Sequence, residues 1–357
     1  MPHRLSLTRR LAALRRPYTG ETDSTLLPAV GRALKTLSGD ERARMHEILN
    51  EGYETRLLGE SSIPAVNHRF REALLPDTTD TVQQQLEAGI LFALGQTAPY
   101  RWPATEVASP MPLSRIVEPG LAPDETILHL CHGVLAPMMA ALTPRVVDGS
   151  LQGLAGLRAT VKRRQVQLHL ADAGPTRKVA LSNTGIRHWV AALAFTRKVI
   201  GSEQLPDLER RLNWAERSAI RTGCRVPVPA ALASGVLRRL PILGSTYWLT
   251  VRPDGPEGLR LDWAGGRSPA KVAAALVHPL AGLAGGRFHV TPMGADFVTV
   301  IVTGIPGEPT TKLTLHQAPV TARPPFTRID VSDAQAEFKR AMTAPAFASI
   351  HRELVSR

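Results

Sequence analysis

The chain is poor in aromatic residues, at 5% Phe, Trp and Tyr, and poor in lysine, with 7 Lys against 36 Arg. Its cores must therefore be built mainly from Leu, Val and Ala. Only two cysteines occur, Cys131 and Cys224. Two scattered thiols cannot make a disulfide framework, and they fit a reducing, cytoplasmic compartment. No stretch reaches the ~18 uninterrupted apolar residues that a membrane span needs. The best candidate, residues 272–283, is broken by His278 and Pro279 and reads instead as part of a helix over 270–283.

Residues 1–20 carry five arginines and no acid, and Leu7, Leu11 and Leu14 share one helical face up to Pro17. The Arg9-Arg10 pair is followed by no apolar region, because Arg15 and Arg16 interrupt it. The segment therefore reads as a short basic helix that packs its leucines on the domain, not as a secretory signal.

Catalytic signatures are missing as well. The sequence holds no G-x-x-x-x-G-K-[ST], no G-x-S-x-G and no H-E-x-x-H. Its glycine-rich strings, at 264–269 and 282–286, lack the G-x-G-x-x-G spacing and read as turns. One compact cluster remains, His129, Cys131 and His132. On a strand His129 and Cys131 share a face while His132 points away, and a zinc site needs about four ligands. The expectation is therefore no catalytic residue, no metal and no cofactor, leaning away from an enzyme.

What is present is length, apolar material and positive charge. A chain of 357 residues exceeds the ~250–300 at which a single core stops growing. Its 43% hydrophobic content and mean hydropathy of −0.06 are ordinary for a soluble globular protein. The net charge of +12 is uneven: residues 21–150 carry 10 basic and 17 acidic groups, whereas residues 151–252 carry 17 and 5.

An asymmetry of this size attracts polyanions. The candidate phosphate ligands are Lys162, Arg163, Arg164, Arg177, Lys178, Arg187, Arg197, Lys198, Arg210, Arg211, Arg217 and Arg221. Arg225, Arg238 and Arg239 belong to the same excess. Arginine suits this role because its planar fork donates bidentately and is weakly hydrated. The plainer alternative is a solvated arginine surface. Residues 185–223 also fit loosely a helix-turn-helix, with a turn at Gly201-Ser202 and a basic second helix from Pro206 to Arg221.

Periodicity divides the chain. Residues 1–102 read as a helical domain, almost wholly helical over 24–96, with a break where Ser38-Gly39-Asp40-Glu41 has capping-box form. Residues 103–123 read as a proline-rich linker, 124–318 as mixed α and β, and 319–357 as a proline-rich connector with a closing helix. Within 124–318 the order of elements recurs. Gly153-Leu154-Ala155-Gly156 aligns with Gly282-Leu283-Ala284-Gly285, and Pro175-Thr176-Arg177-Lys178 with Pro309-Thr310-Thr311-Lys312.

The expected fold is α+β: a helical N-terminal domain, then two similar βαβββ units at 124–184 and 257–317, in one continuous sheet, around a basic helical insert at 185–243. The first unit turns through Lys162-Arg163-Arg164 and the second through Pro292-Met293-Gly294. The functional expectation is a nucleic-acid-associated protein without catalytic activity. The alternative is a scaffold or adaptor that binds protein partners through the helical domain and the duplicated units.

Overall fold

The computed structural model describes residues 6–50, 59–61, 71, 74–97, 114–119, 125–130, 132–173, 176–201, 211–223, 225–284, 287–303, 310–321 and 330–343. It is an α+β protein. Helices come first: α1 (Leu7–Thr19), α2 (Asp23–Lys35) and α3 (Gly39–Asn50). The break between α2 and α3 is the capping box. The Glu41 backbone N–H donates to Ser38 Oγ at 3.2 Å, and the Ser38 N–H donates to Glu41 Oε2 at 2.8 Å.

The basic helix α1 packs against the rest of the molecule. Leu11 and Tyr18 are buried, and the Tyr18 hydroxyl donates to the Ala275 carbonyl at 2.9 Å. The helix runs two residues past Pro17 to Thr19, where Gly20 adopts a left-handed conformation (φ 69°) and its N–H closes onto Arg16 O at 2.8 Å. A short strand, β1 (Gly59–Ser61), interrupts the helical run.

Helix α4 (Thr81–Gly95) starts at Asp80, whose carboxylate accepts from the N–H groups of Val82 and Gln83. It carries a buried stripe of Leu86, Ile90 and Leu94 at helical spacing, yet Ala88, Leu91 and Ala93 are buried too. A helix buried on more than one face belongs in the interior, and α4 lies between the two halves of the molecule.

After α4 the chain builds β2 (Ser114–Pro119), β3 (Glu125–Leu130), α5 (His132–Leu142), β4 (Arg145–Val147), β5 (Ser150–Gln152), β6 (Leu157–Val161), β7 (Gln165–Leu170), β8 (Lys178–Ser182) and α6 (Ile186–Val199). Next come α7 (Trp214–Arg221), α8 (Ala230–Leu237) and a 3-10 turn at Leu240–Leu243. Then the pattern returns: β9 (Thr246–Pro253), β10 (Gly258–Gly265), α9 (Pro269–Leu276), β11 (Arg287–Pro292), β12 (Phe297–Thr303), β13 (Thr311–Ala318) and α10 (Ser332–Thr343).

The two units have one topology. The first sheet runs β2-β3-β8-β7-β6, and the second runs β9-β10-β13-β12-β11-β1. In each, the strand before the helix pairs parallel with the last strand, and every other pairing is antiparallel. The register agrees as well. Lys178 faces Glu125 at the start of one parallel ladder, and Lys312 faces Gly258 at the start of the other. The units occupy two sheets, not the one continuous sheet expected.

The likeness extends beyond βαβββ. A helix and an antiparallel strand precede each unit (α4 and β2, α8 and β9), and a helix follows each (α6, α10). Equivalent parts meet: α4 packs on α8, and α6 on α10. The end of α4 touches β9, and the 3-10 turn after α8 touches β2. Reciprocal contacts of this kind are those of a two-fold arrangement within one chain.

The shared Gly-Leu string has a packing cause. A Cβ on Gly153 would lie 2.3 Å from Thr143 O, and one on Gly282 would lie 2.4 Å from Leu276 O. Each glycine lets the chain pass close to the end of its unit's helix. The next residue then donates its N–H to that helix's last carbonyl, Leu154 to Leu142 at 2.9 Å and Leu283 to Leu276 at 2.7 Å. Both leucine side chains press on a helical glycine, Leu154 on Gly89 of α4 and Leu283 on Gly235 of α8.

Two sequence expectations change. Strand β2 lies inside the proline-rich stretch 103–123, which was expected as a linker. It is the edge strand of its sheet and Pro119 is its last residue, a position that tolerates the missing N–H. The helix expected over 270–283 stops at Leu276, before His278 and Pro279.

A Cβ on Gly95 would lie 2.4 Å from the Val251 backbone nitrogen, whereas one on Gly31 in α2 would meet nothing within 4 Å. Gly95→Ala should therefore cost about 1–3 kcal/mol by overpacking. Gly31→Ala should be neutral or stabilising by up to about 1 kcal/mol. Urea denaturation of the two variants checks this, and equal effects would contradict the close α4–β9 contact.

Candidate nucleic-acid interface

The basic residues of 151–252 fall into three groups. The first is buried and paired. Arg238 and Arg239, at the end of α8, are 1% and 0% exposed. Arg238 donates to both oxygens of Glu87 on α4, Nε at 2.8 Å and Nη2 at 2.7 Å, and to Pro76 O at 2.8 Å. Arg239 holds Asp77 through Nη1 at 2.6 Å and Nη2 at 2.9 Å, and donates through Nε to Ala281 O at 2.7 Å. Arg225 pairs with Asp172, and Arg158 with Glu216. None of these four is a phosphate ligand; they are internal counter-ions.

The second group lies nearer the surface but is also paired. Arg177 meets Asp80 at 2.7 Å and Lys178 meets Glu125 at 3.4 Å. On α6, Arg197 faces Glu337 at 3.9 Å and Lys198 faces Asp333 at 3.5 Å, both acids being on α10. Arg187 is exposed and has a partner. Arg210 lies outside the described residues.

The third group stands free. Lys162, Arg163 and Arg164 are exposed on the β6–β7 turn, which is closed by Lys162 N–H to Gln165 O at 2.8 Å. Arg211, Arg217 and Arg221 are exposed on α7 and just before it. None of the six forms an ion pair among the described residues. Arg217 Nη1 donates to Leu212 O at 2.8 Å and Arg221 Nε to Arg217 O at 3.4 Å, which orders both side chains on the helix.

The eight-residue helix α7 needs an anchor, because isolated helices this short are marginal. Glu216 supplies it. Its carboxylate accepts from the Asn213 N–H at 2.9 Å, while Asn213 Oδ1 accepts from the Glu216 N–H at 2.8 Å. The same carboxylate takes Arg158 Nη1 at 3.0 Å and the Gly156 N–H at 3.1 Å. The helix is thereby fixed to the start of β6. It begins at Trp214 rather than near Pro206, and 14 residues separate it from the end of α6. A helix-turn-helix has a turn of ~3–4 residues, so that reading is corrected. Sequence reasoning also passed over Trp214, which is 63% exposed. The Asn213-x-x-Glu216 box was the signal that would have placed it at the helix start.

No family model, curated protein or solved structure matches this chain.

Of the histidine–cysteine cluster, His129 lies on β3, at the position that Asp262 holds on β10 in the parallel registers. Cys131 lies outside the described residues. Asp262 is buried against two arginines and a histidine: Arg252 Nη2 at 2.6 Å, Arg260 Nε at 2.9 Å and His316 Nδ1 at 2.8 Å. Burial alone would raise its pKa, but hydrogen bonds from these three groups outweigh burial and hold its carboxyl below the usual range. Among the described residues no group of three His, Cys, Asp or Glu could hold a metal, and no helix is long and apolar enough to cross a membrane.

Two predictions follow from the paired charges. Glu87→Gln removes the carboxylate charge that pairs with buried Arg238, and should cost about 3–5 kcal/mol. Arg197→Ala, at a longer and more exposed pair, should cost at most about 1 kcal/mol. Similar losses in chemical denaturation would refute the distinction.

The second concerns His278, whose neighbouring charge is Arg71. Its Nδ1 accepts from the N–H groups of Leu280 at 3.2 Å and Ala281 at 3.4 Å. Burial first, and then the Arg71 cation, push its pKa down from 6.5 to about 4. The unfolded chain takes up this proton below pH about 6.5, and the folded one only near 4. The contribution is complete above 6.5 and is lost as pH falls to 4, by up to about 3 kcal/mol. Asp77, whose carboxyl the Arg239, Arg71 and Arg238 cations hold low against the effect of burial, loses its contribution only at lower pH. Stability measured from pH 7 to 4 should fall less steeply in His278→Gln than in the native protein; parallel curves would remove His278 from the account.

Proposed function

We propose that the protein is a nucleic-acid-associated protein without catalytic activity, which holds phosphates on its first βαβββ unit. The unneutralised set carries this reading. Lys162, Arg163 and Arg164 on one turn, and Arg211, Arg217 and Arg221 along α7, are exposed without an acid partner among the described residues. Most other basic groups of the same segment are spent on internal acids. The second unit has no counterpart: its turn reads Pro292-Met293-Gly294. Contacts to phosphates position a ligand but carry no sequence information, so the binding is to DNA or RNA irrespective of sequence. The reading places the protein in the cytoplasm, where its two thiols stay reduced.

A second reading, a scaffold or adaptor for protein partners, rests on one observation. The acidic N-terminal stretch meets the basic middle within the chain, through Asp77, Asp80 and Glu87. Acid–base docking of that kind suits an adaptor, which predicts no salt-steep binding to nucleic acid.

Fluorescence anisotropy with labelled DNA and RNA separates the two. Affinity for duplex DNA should fall with salt at a log–log slope of about −0.9 per phosphate contacted. Replacing Lys162, Arg163 and Arg164 together with Ala should flatten that slope by up to about three units and weaken all sequences alike. The fold should survive, since exposed turn substitutions cost little. Absence of binding to DNA and RNA at about 50 mM salt, where electrostatic affinity is high, abandons this reading for the adaptor.

A further inference from the structure

The exposed face of α7 combines charge with an aromatic ring. Trp214 is its first residue and is 63% exposed. Large apolar side chains seldom stand open in this protein: among the described residues only Val146, Met293 and Val320 are exposed besides Trp214. Trp214, Arg217 and Arg221 are spaced i, i+3, i+7, which sets them along one side of the helix. Arg211 lies three residues before the ring, and all three arginines are exposed.

Indole on a solvated surface has a cost unless it meets a partner, and the partner indicated here must suit both a flat π face and a line of guanidinium groups. A protein segment that offered acids would satisfy the arginines but would not need the ring. A duplex keeps its bases stacked inside and offers the ring no face. A single strand presents unstacked bases next to phosphates.

The support is rigid, which stacking requires. Glu216 alone joins α7 to Arg158, Gly156 and Asn213. The Gly156 position touches Ile220 and Leu212, which brace the helix from below. The neighbouring β4–β5 hairpin, which α7 contacts through β5, has no equivalent among the described residues of the second unit.

We propose that Trp214 is a base-stacking residue, and that the Trp214–Arg217–Arg221 face of α7 binds single-stranded nucleic acid in preference to duplex. The inference rests on the nucleic-acid reading and adds to it the strandedness of the ligand. Trp214 stacks one base, while Arg211, Arg217 and Arg221 hold the flanking phosphates.

The test uses the full chain and oligothymidylate of about 20 nucleotides, longer than the ~4–16-nucleotide footprint of a single-strand groove. A duplex of equal length is the control. Native protein should bind the single strand more tightly than the duplex. Trp214→Ala should weaken single-strand binding by roughly ten- to hundred-fold, the scale of one lost base stack, and leave the salt slope and the duplex affinity unchanged. Trp214→Phe should recover much of the loss, and Trp214→Leu, which is apolar but cannot stack, should not. Trp214 is exposed, so these variants should unfold like the native protein.

If Trp214→Ala binds the single strand as tightly as native protein, or loses affinity equally for both forms, the stacking role is overturned while the phosphate reading stands. If native protein binds neither form at about 50 mM salt, the phosphate reading fails and the stacking role fails with it.

Discussion

One buried carboxylate ties the two halves of the molecule together. Glu87 of α4 is fully buried. It accepts from Thr126 on β3 at 2.7 Å, from Ser234 at 2.6 Å and from both ends of the Arg238 fork on α8. Gln83, one turn earlier, adds a bond at 2.8 Å. A buried charge is tolerated only when it is paired and its lone pairs are filled, and here they are filled from both copies of the repeat. The depth and rotation of α4 against α8 are thereby fixed. Asp77 extends the same logic outward. It takes Arg239 and Arg71, and these arginines hold the carbonyls of Ala281, Pro279 and Gly282 in the loop that carries the second Gly-Leu string.

With that centre fixed, the two copies are free to differ at their rims. In the second, β1 pairs with the outer edge of β11. In the first, the equivalent strand β6 ends the sheet, and Arg158 on it is drawn to Glu216 of α7. Each hairpin turn is closed by one backbone bond, Lys162 N–H to Gln165 O and Met293 N–H to Phe297 O, both at 2.8 Å, the second turn being one residue longer. The side chains differ more: three cations project from one turn, and an exposed methionine from the other.

Much of this was legible in the sequence because local chemistry dictated it. Glycines at 153 and 282 are demanded by a close approach of backbone to helix end, so the repeat left a readable string. Ser38 and Glu41 marked a helix start by a reciprocal bond three residues long. The strands of both units fell near their expected places because alternation is a local signal. The partners of the arginines were not legible. Glu87 is 151 residues from Arg238, and Asp77 is 162 from Arg239, so nothing local distinguishes an internal counter-ion from a surface cation. Strand β2 was hidden because proline reads as linker unless one knows that the strand is an edge. Helix α7 was misplaced because Pro206 and Asn213 are both acceptable starts, and only tertiary bonds to Gly156 and Arg158 select the second.

On the proposed phosphate-binding reading, the distribution of the six cations that lack an acid partner among the described residues limits what they can recognise. The turn at 162–164 follows β6, and Glu216 grips Gly156 and Arg158 at its beginning. Across the five residues of β6 the separation is about 17 Å at ~3.3 Å per residue. Exposed charges farther apart than ~8–10 Å are screened from each other at physiological salt. The two clusters therefore do not add into one strong field for a small anion. A single phosphate or a mononucleotide meets three cations at most, at either end. A polymer with a charge on every residue can engage both ends at once, and the linkage raises the effective concentration at the second cluster. The geometry thus favours an extended polyanion over a small phosphorylated ligand, even though each cluster taken alone would suit either.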